Sequence, residues 1–313
     1  MATRGAALCL LAVLALAGAA CAVPTVPPAQ ATSTPTSTVT SASAKLLPTA
    51  CADDAGWSAP TAPRHVFGNT WFVGTCEIAA LLITSPQGHV LIDAATDEAA
   101  PHIEAGIRAA GFRVEDIRLI LNTHEHLDHA GGIGRLQRDS GAEVLARGVA
   151  AEVLTRGRSD RRDPQFEVLD PFPPVARVRA VSDGEVVKLG EIAISNLPMP
   201  GHTPGGSGWA WRSCEGATCR DIVFSDSLTA ISDDRYRYGD HPEMVAAMRR
   251  TFDTLAAQRC DILITTHTRS SDLLARLDGR KPLVDTGACK AYAAQGRDGL
   301  AKRLAEERMR STP

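Results

Sequence analysis

Aromatic residues are scarce, at 4% of 313 positions, so a core built from this chain is expected to rest mainly on Ala, Val, Ile and Leu. A basic excess is also lacking. Residues 1–49 carry only Arg4 and Lys45 as charges, which leaves 31 Lys+Arg against 36 Asp+Glu in the remainder, a formal balance of −5. No broad cationic field is available to hold phosphate backbones, which argues against a nucleic-acid partner. Neither Ser-x-x-Lys nor Gly-x-Ser-x-Gly occurs, so two common serine-nucleophile signatures are missing. Cys-x-x-Cys pairs are absent as well. No stretch reads as a permanent membrane span, because the longest apolar run, Ala6 to Ala20, is too short to cross a bilayer of about 30 Å comfortably.

That run follows Arg4 and is followed by small residues, the pattern of an export signal over residues 1–22. Cleavage falls either after Ala22 or before Cys21, which would then carry a lipid anchor. Residues 23–49 form a Thr/Ser/Pro-rich tract with almost no charge, read as an extended tether. The folded part is expected over 50–313, in a periplasmic, monomeric protein. Beyond Cys9 and Cys21 six cysteines remain: Cys51, Cys76, Cys214, Cys219, Cys260 and Cys289. An even number in an exported chain suggests disulfides, and the close spacing of Cys214 and Cys219 suggests a clip across a hairpin tip.

Along the folded part, apolar stretches broken by turn residues predict strands over 66–73, 78–84 and 90–92. Ile103 and Ile107 lie four apart before Gly111, which predicts a helix over 97–110. A short buried strand over 117–121 leads into a histidine-rich turn, and a helix follows over 131–139. Residues 156–174, with four arginines near their start and four prolines in the segment, read as a long irregular loop. The second half repeats the plan, with strands over 175–181, 186–189, 192–197, 209–212, 222–224 and 262–265 and helices over 242–257 and 285–308. Two halves of strands and helices suggest two packed sheets with helices outside, and a site at the strand ends between them.

The nine histidines are distributed unevenly. His124, His126, Asp128 and His129 fall within six residues directly after a predicted strand. In extended backbone, side chains two apart point the same way, so His124 and His126 can grip one ion while Asp128 and His129, after a turn, face a neighbouring one. Imidazole and carboxylate suit zinc, whose catalytic sites keep one position open for water. His202, inside Gly201-His202-Thr203-Pro204-Gly205, and His267, after the apolar strand over 262–265, complete two sets of three. His65, His89, His102 and His241 lack such settings and read as structural or exposed.

With these residues in place, His124-x-His126-x-Asp128-His129, His202 and His267 resemble the metallo-β-lactamase superfamily of dinuclear hydrolases, over about residues 51–308. Cys51-Ala52-Asp53-Asp54, Gly68-Asn69-Thr70-Trp71, Asp163-Pro164-Gln165-Phe166 and Asp226-Ser227-Leu228-Thr229 look like the third subclass of the class B β-lactamases. The resemblance implies an αββα sandwich of two mixed sheets and two Zn²⁺ per chain. One zinc would be held by His124, His126 and His202, the other by Asp128, His129 and His267. It also implies disulfides pairing Cys51 with Cys76, Cys214 with Cys219 and Cys260 with Cys289.

Further roles follow from the same resemblance. Ser227 would hold a water or the substrate carboxylate, and Thr229 and Gln165 would touch substrate. Asp93 would be the outer carboxylate that orients a ligand histidine. The implied reaction is hydrolysis of a β-lactam amide by metal-activated water, with Asp128 or water returning the proton to nitrogen. The alternatives are a thioesterase or lactonase of the same superfamily with Asp226 as a bridging ligand, or an inactive exported zinc-binding module. Thr266 and Thr268 flank His267 where relatives more often carry prolines, which leaves the shape of that rim open.

Overall fold

The structure, a computed structural model, describes residues 47–310. The expected export signal, the possible lipid site at Cys21 and nearly all of the tether lie outside the described residues. Among those described, no helix is long and apolar enough to cross a membrane.

Seven strands form the first sheet in sequence order: β1 (Arg64–Phe67), β2 (Thr70–Phe72), β3 (Leu81–Ile83), β4 (His89–Ile92), β5 (Ile117–Leu121), β6 (Glu143–Arg147) and β7 (Val178–Val181). The first four pair antiparallel, and β4 to β7 are parallel. Parallel neighbours need crossovers, and helices supply them. These are α1 (Ala100–Ala109), the short α2 (Leu127–Ala130) with α3 (Ile133–Ser140), and α4 (Gly148–Arg156). The second sheet runs β12-β11-β10-β9-β8, from β8 (Val186–Leu189), β9 (Ile192–Pro198), β10 (Ser207–Glu215), β11 (Thr218–Ser225) and β12 (Ile262–Thr265). Its members are antiparallel except for the β11/β12 pair. Helices α5 (Pro242–Ala256), α6 (Leu273–Leu277) and α7 (Ala288–Arg310) complete the chain.

Side-chain alternation along the strands creates the layers. On β4, Val90 and Ile92 face the second sheet while Leu91 packs with Ile103 and Ile107 of α1. On β11 and β12, Ile222, Phe224, Ile262 and Ile264 face the first sheet, whereas Val223 and Leu263 pack with Met248, Phe252 and Leu255 of α5 and with Leu300 of α7. The result is two mixed sheets face to face with helices outside, the expected αββα sandwich. The few aromatics are concentrated in this interior: Phe72, Trp209, Phe224, Tyr238 and Phe252 are fully buried. The core is otherwise mostly Ala, Val, Ile and Leu, as the composition suggests, with these few rings as its largest side chains.

Two expected strands are shorter than their apolar runs. Gly68, at φ +56°, turns the 66–73 stretch into a β1/β2 hairpin. Residues 78–80 are buried but largely outside the ladder, because Ile78 instead bridges His267 in the second sheet's connection. All three expected disulfides are formed, joining Cys51 to Cys76, Cys214 to Cys219 and Cys260 to Cys289. The segment between α4 and β7 has no helix or strand, as its prolines and arginines suggest.

Candidate metal centre

Strand register brings the chemistry together. Ile92 pairs with Leu121 in the parallel β4/β5 ladder, and Ser225 pairs with Thr265 in β11/β12. The residues that follow, Asp93, Asn122, Asp226 and Thr266, therefore emerge at carboxyl ends of neighbouring strands, the usual place for a site in such sheets. Asp93 has φ +61°, a conformation that costs a non-glycine residue of order 1–3 kcal/mol. Its carboxylate accepts from Thr123 N at 2.8 Å, Thr123 Oγ1 at 2.6 Å and Asn122 Nδ2 at 3.2 Å. This network fixes the backbone just before the first histidine.

His124 is fully buried, with Nδ1 2.7 Å from Asp226 Oδ1 and no protein partner for Nε2. His126 Nε2 lies 3.0 Å from Asp163 Oδ2. His202 Nδ1 lies 3.1 Å from Thr229 O and 3.0 Å from Thr229 Oγ1. One nitrogen of each ring is thus engaged by an oxygen, which fixes its orientation and leaves the other nitrogen for an ion. One ligand atom from each of the three rings lies within 4.8 Å of the other two.

A second group shares this edge. His124, Asp128 and His129 also place ligand atoms within 4.8 Å of one another. Asp128 Oδ2 is 3.0 Å from His129 Nε2 and 3.4 Å from His267 Nε2. Ligand atoms on one tetrahedral zinc, at about 2.0–2.1 Å from the metal, stand about 3.3 Å apart, so the spacing suits a shared ion. Both nitrogens of His129 are buried without a well-aligned hydrogen bond. Such orphaned donors, with the nitrogen and carboxylate character of the set, fit Zn²⁺. His267 is held by its Ile78 bridge, by Ala79 N donating to Thr266 O at 2.8 Å and by Thr268 N donating to Glu77 O at 2.9 Å.

Electrostatics agree with a metal-ready state. Burial, with neighbouring imidazoles, holds His124 well below the usual histidine range and brings His202 down to about 3. His267 is lowered to about 4, chiefly by burial. Neutral imidazoles are the coordinating form. Burial opposes ionisation of Asp128, but His129, His267 and His126 overcome it and keep the carboxylate charged. For His126 burial is again the largest influence, yet the Asp163 hydrogen bond and charge turn the net shift upward, a more basic ligand.

Several expected roles change in detail. Asp93 lies 3.9 Å from His129 Nδ1, too far for a hydrogen bond, so its hydrogen bonds order Thr123 and Asn122 rather than a ligand ring. The carboxylates on ligand rings are Asp226 and Asp163. Thr229 Oγ1 is hydrogen-bonded to His202 Nδ1 at 3.0 Å, which gives it a part in orienting that ring. Ser227 Oγ shares a hydrogen bond of 2.8 Å with Thr266 Oγ1. Gln165 Nε2 is buried without a hydrogen-bond partner. Sequence reading missed Asp163 and Glu125. An acidic residue inside an arginine-rich loop was the available signal for the first, and a carboxylate between two ligand candidates for the second.

Comparison with known proteins gives concordant results. The family model for the metallo-beta-lactamase superfamily matches residues 73–267. The crystal structure of the metallo-beta-lactamase SMB-1 bound to 2-mercaptoethanesulfonate is 48% identical, with TM-score 0.78, covering 81% of this chain and 100% of that one. Metallo-beta-lactamase MIM-1 from Novosphingobium pentaromativorans is 46% identical, with TM-score 0.79, over 82% of this chain and 94% of that one. MEM-A1, a subclass B3 enzyme from a soil metagenome library, is 44% identical, with TM-score 0.80, over 82% of this chain and 100% of that one. Among curated sequences, hydroxyacylglutathione hydrolase of Anaeromyxobacter dehalogenans (strain 2CP-C) is 30% identical over 53% of this chain and 51% of its own length. Hydroxyacylglutathione hydrolase GloC of Haemophilus influenzae is 26% identical over 43% of this chain and 61% of its own length. The chain thus spans between half and two thirds of the length of these curated relatives.

Proposed function

The chain belongs to the metallo-beta-lactamase superfamily, and from this we propose that it is an exported, zinc-dependent β-lactamase of subclass B3, opening the amide of penicillins, cephalosporins and carbapenems. His124, His126 and His202 would hold one zinc, and Asp128, His129 and His267 a second. When bound, zinc lowers the pKa of water from 15.7 to about 7 and polarises a carbonyl, so no protein nucleophile is required.

The chain's own residues then orient substrate and move protons. Ser227 Oγ and Gln165 Nε2 provide donors for the substrate carboxylate. Asp128, held in its charged form, would serve as a ligand of the second zinc, and water or Asp128 would return a proton to the departing nitrogen. Asp226 and Asp163 hold the His124 and His126 rings in place. The periplasmic setting rests on Arg4 and the apolar run after it.

The observation that carries the choice over a thioesterase or lactonase is the placement of Asp226. Its Oδ1 lies 2.7 Å from His124 Nδ1 and accepts from Ser227 N at 2.7 Å, and the residue is in neither group of candidate donors, which favours support of the His124 ring over a bridge between two ions; Oδ2 is buried beside Gly206 with no protein partner. The likeness to hydroxyacylglutathione hydrolases keeps thioesters in the test. Purified protein is assayed on a penicillin, a cephalosporin, a carbapenem and an acylglutathione thioester, each with and without chelator. Chelator-sensitive ring opening with at most marginal thioester cleavage is expected, and thioester turnover without β-lactam turnover in zinc-loaded protein rejects the proposal.

A further inference from the structure

Glu125 stands between two ligand candidates and has no part in either donor group. It is only 1% exposed. Both carboxylate oxygens are already engaged. Oε2 accepts from Thr203 Oγ1 at 2.8 Å, and Oε1 accepts from Gly205 N at 2.9 Å. These donors flank Pro204 in the turn directly after His202. That turn connects β9 to β10 in the second sheet, while Glu125 follows β5 in the first.

The approach is close by construction. A Cβ on residue 205 would lie 2.6 Å from Glu125 Oε2 and 2.6 Å from Ala150 Cβ, so glycine is needed for the turn to dock. Two further bonds fasten this connection to the first sheet, Ser207 N to Thr123 O at 2.7 Å after β5 and Arg147 Nη1, at the end of β6, to Gly206 O at 2.9 Å. Both act beyond the turn, on the start of β10. Among the described residues, Glu125 is the side chain of the 124–129 segment that hydrogen-bonds residues 203–205. A buried carboxylate without a cation partner is costly, and two donors aimed at it are its compensation.

We propose that Glu125 is a positioning residue that clamps the His202 turn onto His124 and His126 and so closes the three-imidazole zinc site. The inference rests on the reading of those histidines as ligands and is independent of the substrate. It assigns Glu125 no contact with ion or substrate. Its effect is on where the third ring sits.

Zinc affinity is measured by chelator competition for the mature protein and for E125A, E125Q and T203V, with cobalt(II) absorption resolving the two sites and a melting curve for each variant. Outer groups that orient ligands typically affect metal affinity 10–100-fold, and E125A is expected to weaken the three-histidine site by about that factor. E125Q, whose amide oxygen still accepts from Gly205 N, should lose less, and T203V should lose about three- to tenfold. The Asp128 site should change less in each. Wild-type zinc affinity in folded E125A or T203V, whatever their melting temperatures, overturns the clamp; should E125A fail to fold, T203V alone decides. A wild-type protein that binds no zinc overturns the ligand reading itself, and the clamp with it.

Discussion

Asp163 shows what a single residue contributes here and why it was hard to find. It lies 37 positions after His126, in a loop without regular structure, yet its Oδ2 is 3.0 Å from His126 Nε2. Its other oxygen, Oδ1, accepts from Gln165 N at 2.8 Å, so the same carboxylate shapes the loop that presents Gln165. Asp163→Ala removes both bonds and is expected to lower zinc affinity by about 10–100-fold with the fold retained, measured by metal content after dialysis against dilute chelator. Metal retention equal to the parent would show that the bond is incidental. The ligand candidates were legible because local geometry gathers four of them: His124, His126, Asp128 and His129 need only a strand end and one turn. Partnerships such as Asp163 with His126, Asp226 with His124 and Glu125 with Thr203 are made by tertiary docking. No spacing rule announces them.

Elements were legible where their pattern was self-sufficient. The strands over 117–121, 186–189 and 262–265 have the bounds that apolar runs between turn residues suggest. The stripe Cys289, Ala293, Gly296 and Leu300 gives α7 a buried face at helical spacing. Short helices α2 and α6 were not legible, since four or five residues carry no period and depend on the packing around them. Helix α7 is also pinned near its end. The Glu307 carboxylate accepts from Tyr238 N at 3.0 Å, Gly239 N at 2.8 Å and Arg303 Nε at 2.8 Å. Burial disfavours its charge, but Arg303 and the two backbone donors prevail and depress the carboxyl below its ordinary range. A depressed folded pKa contributes stability that is present above the unfolded value of about 4.3 and is lost as pH falls through the folded one. Glu307→Gln is therefore expected to be about 1–3 kcal/mol less stable at pH 7, with the gap closing below pH about 4 in urea titrations. A gap independent of pH would assign the effect to packing.

At the scale of the molecule, the architecture was readable because each half runs through strands and then helices and places polar clusters at strand ends. What remained hidden was the fastening between halves. The Ile78 bridge to His267 and the Thr268 Oγ1 bond to Cys76 O at 2.7 Å tie the last ligand candidate to the first half of the chain. Ser207 and Glu125 tie the His202 turn to the first sheet from the other side. Candidate ligands drawn from both sheets thus meet on a frame fixed from both, which is the arrangement that preorganised chemistry requires. Zinc would bind between segments already held together, so metal loading should follow the number of sites rather than a folding transition. Protein stripped by chelator and dialysed is titrated with zinc while carbapenem ring opening is followed. The account predicts no turnover in the stripped protein and activity restored up to two equivalents, with no further gain. Full turnover without metal, or none regained at two equivalents by folded protein, would contradict it.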